Sequence, residues 1–378
     1  NGYFVNTTAG VVTANLPASP SAGDIMAVVD YAGTADTNNI TVGRNGSNIN
    51  GAASDKTISE SNSGATFVYV DGTQGWKFTE TANISDIAES PKYIAASGGT
   101  EVESGDFRIH TFTGPGTLCV SCAGNSLGSN KVSYLVIGGG ASGATNRGGG
   151  GGAGGFREGK ASGDSYTASP LNAPVGLPVS VQGYPITVGG GGPGAGSGAT
   201  PTPSVPGNAG SNSIFSTITS AGGGGGGYNG AGINGGSGGG GGYPHAGGSG
   251  NTPPVSPPQG NNGGTGSGSP NSGAGGGGAG GVGGASSEDV AGAGAAGVTT
   301  SITGSPVTRA GGGGGSGNSS GGAAGPGGGG TGYVGPGGGQ PIPASSGDVN
   351  SGGGGGAQRN TPSGGGGSGI VVIRYKFQ

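Results

Sequence analysis

The sequence is poor in charge. Asp, Glu, Lys and Arg make up 8% of its 378 residues and leave a formal net charge of −4, where an average globular chain carries about 25% charged residues. Without a basic excess there is no electrostatic footprint for a nucleic acid, and none is expected as a partner. Aromatic residues are scarce at 5%. The apolar runs, such as Tyr134–Ile137 and Ile370–Ile373, have the length of strands and fall far short of the ~18 residues of a spanning helix, so no membrane insertion is expected. Helical periodicity sustained over about 11 residues is missing; Asn83 to Ser90 has room for one turn.

Histidine and cysteine are nearly absent, with two of each. Cys119 and Cys122 form a C-x-x-C that only His110 and His245 could complete as a metal site. A structural zinc needs four ligands, and this spacing fits no finger pattern. A redox pair needs a thioredoxin-like context that the flanking sequence lacks. The remaining reading is a short local disulfide between Cys119 and Cys122, or two half-buried thiols. Catalysis also lacks parts. No nucleophile motif is present, and Asp24, Asp30, Asp36, Asp55 and Asp71 fall in turns or at strand ends, where Asp is common for backbone reasons. Gly138-Gly139-Gly140-Ala141-Ser142-Gly143 satisfies G-x-G-x-x-G after a strand, but a dinucleotide site also needs a helix to follow. Ala144-Thr145-Asn146-Arg147 and more glycine make a very poor helix, and among 106 Gly the match arises by chance. No enzyme activity, no cofactor and no metal are expected.

What is present is glycine. The first 137 residues hold 17 of the 106 Gly and 18 of the 30 charged residues, while 89 Gly lie in 138–378. The runs are continuous, as in Gly222 to Gly227, so the every-third-residue glycine of collagen is ruled out. Ordering a residue costs roughly 1–2 kcal/mol of backbone entropy, and glycine has no side chain whose burial offsets this. The remaining source is the backbone, whose hydrogen bonds contribute about 0.5–1.5 kcal/mol each. Order therefore needs many runs packed side by side.

The front reads as short strands punctuated by turns: Tyr3–Thr7, Val11–Leu16, Asp24–Tyr31, Asn39–Gly43, Thr66–Asp71 and Gly75–Thr79. Asp71-Gly72 between Phe67–Val70 and Trp76–Phe78 predicts a hairpin, and Trp76, the only tryptophan, is expected to anchor the core. A second module contains Phe107–Phe112, Thr117–Ser121 and Val132–Ile137, the last running straight into glycine. The same strand-then-glycine phrase recurs at Tyr184–Val188, Ile214–Ser220 and Pro306–Ala310, and the chain closes on Gly369–Tyr375. The expected fold is all-β: short-stranded β-sandwich-like modules, with a glycine-rich bundle of polyglycine or polyproline-II-type helices inserted between strands. The expected organisation is an N-terminal β module at 1–85, the first part of a second module at 86–137, and a glycine-rich domain at 138–378 whose embedded strands complete it.

Side chains that interrupt the glycine are Phe156, Tyr228, Tyr243, His245 and Tyr333, with Pro-rich loops at Thr200–Pro206, Pro253–Pro258 and Pro341–Pro343. Aromatic rings beside polar loops stack on sugars or anchor interfaces, so these five residues are the candidate receptor contacts.

The front segment, from Gly2-Tyr3-Phe4-Val5 to Gly75-Trp76-Lys77-Phe78, resembles modules of bacteriophage tail-fibre proteins, most closely at Leu16–Asp24 and Asn39–Gly46. Phe112–Thr117, Val136–Gly140 and the terminal Gly369–Tyr375 strand resemble the glycine-rich domain of phage tail proteins. The resemblance implies an extracellular or virion-associated fibre or adhesin, a homo-oligomer or filament of identical subunits, whose loops meet a bacterial surface glycan or outer-membrane protein. Where the chain starts in an apparent strand, Gly2–Thr7, a self-assembling filament joined through that strand is the alternative.

Overall fold

The computed structural model describes residues 2–81, 88–89, 91–196, 204–266, 271–359 and 362–378. The turn expected at 83–90 and the module boundary expected at 85 lie outside the described residues, apart from a two-residue strand at Ala88–Glu89. The chain divides into two compact units, Asn1–Lys92 with Asn125–Gly128, and Tyr93–Gly124 with Ser129–Gln378.

The first unit contains β1 (Gly2–Val5), β2 (Val12–Asn15), β3 (Ile25–Asp30), β4 (Ile40–Gly43), β5 (Lys56–Ile58), β6 (Gly64–Asp71), β7 (Gly75–Thr81) and β8 (Ala88–Glu89). They form two four-stranded sheets, ordered β1-β3-β6-β7 and β2-β4-β5-β8. Alternate residues of both sheets enter one core, in which Val28, Phe67 and Trp76 from the first sheet meet Ile40, Val42 and Ile58 from the second. The β6–β7 hairpin turns where expected. Asp71 Oδ1 accepts the backbone N–H groups of Thr73 and Gln74 at 2.8 and 2.6 Å. Gly75 leaves the turn at φ +69, with the Asn48 carbonyl where a Cβ would stand, so no other residue fits there.

The second unit contains β9 (Ile94–Ser97), β10 (Thr100–Ser104), β11 (Phe107–Phe112), β12 (Gly116–Ala123), β13 (Lys131–Ile137), β14 (Phe156–Gly159), β15 (Asn172–Ala173), β16 (Leu177–Pro178), β17 (Gln182–Thr187), β18 (Ser213–Phe215), β19 (Ile218–Ser220), β20 (Val298–Thr300), β21 (Val307–Arg309) and β22 (Ile370–Lys376). The terminal strand β22 lies between β11 and β13 in the middle of the largest sheet. Its Val371, Ile373 and Tyr375 point to one core with the sheet β19-β18-β17-β12-β9, while Ile370 and Val372 point to a second core with Phe156, Tyr166 and Ile302. A strand covered on both faces needs apolar residues at every position, which is why Ile-Val-Val-Ile is uninterrupted.

Glycine begins where these strands end. Ile137 pairs with both Phe156 and Ile370, so β13 leaves the sheet at the same end at which β14 and β22 return to it. The expected helical bundle is overturned here. Among the described residues the only helical element is the three-residue 3-10 turn Pro336–Gly338, and the runs are non-helical segments. The physical reason is where their N–H groups go. In the buried run 148–155, Gly149 and Gly152 donate to the Gly227 and Gly224 carbonyls, both at 2.9 Å. Gly150 and Ala153 donate to Ala274 and Gly277 at 2.9 and 3.0 Å, and Gly151 and Gly154 to Gly355 and Gly352 at 2.9 and 2.8 Å. Successive donors address three different neighbouring runs, so the hydrogen bonds run sideways through a slab. The all-β class stands; the helical inserts do not.

Small side chains are tolerated in the slab where they add a bond or fill a gap. Ser363 Oγ donates to the Gly143 carbonyl at 2.6 Å and Ser213 Oγ to that of Ile137 at 2.6 Å, while Ala141, Ala153 and Ala357 are fully buried.

Candidate functional site

The glycine runs alternate in direction, so their connections fall at two ends. At one end they meet the sheets. The other is a rim of loops, traceable by hydrogen bonds from one to the next. The outgoing run after β13 turns at Thr145–Arg147, where Ala144 N donates to the Gly149 carbonyl at 2.9 Å. Asn146 N donates to the Arg359 carbonyl at 3.2 Å, and its side-chain amide donates to Tyr228 OH at 3.4 Å and Ser204 Oγ at 2.9 Å. Arg359 Nη1 donates to Asn318 Oδ1 at 3.5 Å, and Asn318 Nδ2 donates to Asp289 Oδ2 at 3.3 Å. Gly317 N donates to the Tyr333 carbonyl at 3.0 Å. The 243–246 loop joins the Tyr228 loop through Gly242 N, which donates to the Gly230 carbonyl at 3.1 Å.

Four of the five candidate receptor contacts are therefore on this rim. Tyr228, Tyr243 and Tyr333 are half-buried and His245 is exposed. Half-burial leaves part of each tyrosine side chain open to solvent. Pro244 beside them, and Val290 and Ile342 at 45% and 56% exposure, add apolar surface. The Pro341–Pro343 loop lies on the rim, and the described end of Thr200–Pro206 reaches it at Ser204. Pro253–Pro258 lies at the opposite end, where Gln259 Nε2 donates to the Pro253 carbonyl at 2.8 Å and Phe156 N donates to the Gln259 carbonyl at 2.8 Å.

Phe156 is corrected. It opens β14 and is 1% exposed in the core with Leu135, Ile137 and Val372, so its ring meets no receptor. Of the two readings left open for Cys119 and Cys122, a local disulfide or two thiols, the structure has the thiols. Both are free thiols, Cys119 exposed and Cys122 half-buried. They sit on one strand, with a register shift between Val120 and Cys122. Three residues along a strand at ~3.3 Å each hold the Cα atoms roughly 10 Å apart, beyond the ~7 Å that a disulfide spans.

Perturbed titratable groups lie away from the rim, in the strand framework. His110 is fully buried; its Nδ1–H donates to the Gly98 carbonyl at 2.7 Å and its Nε2 accepts from Tyr375 OH at 2.9 Å. Burial pushes its pKa below the ordinary value. Tyr166 and Tyr375 are pushed up, again first by burial. Each is buried, His110 against Tyr375 and Tyr166 in the core with Phe156, so these groups are read as structural. Among the described residues no group of three His, Cys, Asp or Glu side chains is placed to hold a metal ion.

The sequence did not mark Asn146, Arg147, Asn318 or Arg359 as receptor contacts. The signal that would have found them is the same one that marked the tyrosines: each interrupts a glycine run. Asn146 and Arg147 adopt successive positive φ values of 49 and 68, a backbone feature that ordinary residues rarely take.

A family model described as a glycine-rich domain matches residues 113–376. No curated protein matches the sequence.

Proposed function

Since the chain belongs to the glycine-rich domain family, we propose that it is a non-enzymatic structural and adhesive fibre protein, a phage tail-fibre or receptor-binding module that attaches to a bacterial surface. The observation that carries this reading is the rim. Tyr228, Tyr243, His245 and Tyr333, far apart in sequence, come to one end of the glycine slab. A backbone-bonded slab supplies rigidity, and rigid support lets half-exposed rings bind without first being ordered. Aromatic faces ringed by amides and hydroxyls suit the apolar faces and hydroxyl edges of a surface glycan; an outer-membrane protein loop is the other partner with that chemistry. The test is adsorption of the purified protein to a panel of bacterial strains. Selective adsorption that Tyr243→Ala and Tyr333→Ala weaken supports the reading; adsorption to no strain sinks it.

A second reading, a self-assembling extracellular filament, rests on one feature. β1 is the edge strand of its sheet, with Phe4 77% and Tyr3 43% exposed, and its four residues carry no charge. Edge strands normally carry charge that deters pairing with another chain. Sedimentation of the wild type beside Phe4→Lys tests it: concentration-dependent assembly that the lysine abolishes supports the filament, and a concentration-independent monomer removes it.

A further inference from the structure

We propose that the Arg147–Arg359–Tyr228 corner of the rim is a subsite for an acidic group, a carboxylate or phosphate carried on a sugar. This deepens the adhesive reading and rests on it. Arg147 and Arg359 are in adjacent loops, joined by the 3.2 Å bond from Asn146 N to the Arg359 carbonyl. Both are half-buried, and neither forms an ion pair with a described residue. Arg147 Nε is buried and has no hydrogen-bond partner, and the residue is held at φ +68. Such a conformation costs free energy and persists where the surroundings enforce it.

The neighbours do not supply the missing negative charge. The Arg359 contact is to the neutral Asn318 Oδ1 at 3.5 Å, and the nearest acid of that chain of bonds, Asp289, lies beyond Asn318 and is engaged by its amide at 3.3 Å. In a chain with only 13 basic residues and a net charge of −4, two guanidinium groups from neighbouring loops, neither in an ion pair with a described residue, are not a general attraction for polyanions. Guanidinium matches a carboxylate or phosphate through paired N–H donors. Tyr228, whose hydroxyl accepts from Asn146 Nδ2 at 3.4 Å, brings a ring to the loop that carries Arg147, for the sugar that carries the acid.

The test compares binding of the full chain to immobilised alginate (carboxylate), teichoic acid (phosphate) and dextran (neutral). The expected result is binding to at least one acidic polymer well above dextran. It should fall about tenfold or more in Arg147→Gln/Arg359→Gln and weaken with added salt, while circular dichroism and melting stay as in wild type. The acidic arm that responds tells carboxylate from phosphate. Each arginine is also replaced singly by Lys, which keeps charge but not the fork and is expected to restore binding only in part. Equal binding to dextran, or acidic binding that the double variant leaves intact, overturns the subsite without touching the adhesive reading. Binding to none of the three also overturns it, and adsorption to whole cells then decides the adhesive reading separately.

Discussion

Arg374 Nε and Asp164 Oδ1 stand 2.9 Å apart with side chains 4% and 2% exposed, joining the terminal strand to a loop 210 residues earlier. Asp164 Oδ2 also accepts from Ser133 Oγ at 2.7 Å, and the guanidinium lies 4.4 Å over the Phe107 ring. Removing one member leaves the other charged and buried. Arg374→Ala or Asp164→Ala is expected to cost roughly 3–5 kcal/mol. Denaturant unfolding of each single variant and the double variant checks this, with the double costing less than the sum of the singles.

His110 predicts an acid limit to stability. Burial holds its folded pKa below the ordinary value, while an unfolded histidine titrates near ~6.5. The unfolded state therefore binds more protons below that pH. The stability contribution is complete above ~6.5 and is lost as pH falls towards the folded pKa. Melting temperature measured from pH 7 downward should fall in this window, and His110→Gln, starting from a lower value, should fall less.

Asp30 predicts a second, more acidic limit. Burial alone would raise its pKa, yet bonds from the backbone N–H groups of Ala35, Asn62, Thr34 and Gly33 outweigh that and hold it below the usual carboxylate range. Its stabilisation is present above the unfolded value near ~3.9 and is lost as pH falls through the lower folded value. Asp30→Ala leaves the Gly33, Ala35 and Asn62 donors without their acceptor and should cost about 2 kcal/mol or more.

Gly190 and Gly191 are neighbours in the same run and predict opposite outcomes. A Cβ on Gly191 would fall on the Gly366 carbonyl, whereas Gly190 has nothing within 4 Å. Gly191→Ala should destabilise by about 1–3 kcal/mol; Gly190→Ala should stay within ~0.5 kcal/mol. Chemical denaturation of the pair is the check.

That pair shows where the sequence stops being informative. The strands were legible because side chains announce them: Val132–Ile137 and Gly369–Tyr375 mark β13 and β22 to within a residue or so, and Asp71-Gly72 marks the β6–β7 turn. The glycine segments were legible only as something packed. Which run receives Gly151 N–H is decided by Gly355, 204 positions away, and no local pattern encodes it. The expectation of helices failed for that reason. The sequence marked Tyr228, Tyr243, His245 and Tyr333 as interruptions, but the same rule marked Phe156. Only the pairing of Phe156 with Ile137 shows it to be the first core residue of a returning strand. Equally, Pro253–Pro258 and Pro341–Pro343 look alike as sequence and lie at opposite ends of the slab.

The most direct test of the account sets those two ends against each other. Fluorescently labelled protein is measured for adsorption to the bacterial panel as wild type, as a rim variant (Tyr228→Ala/Tyr243→Ala/His245→Ala/Tyr333→Ala), and as an opposite-end variant (Pro254→Ala/Pro258→Ala). All three are first matched for melting temperature. The rim variant is expected to lose strain-selective adsorption while the opposite-end variant keeps it. Adsorption by the rim variant equal to wild type would contradict the account.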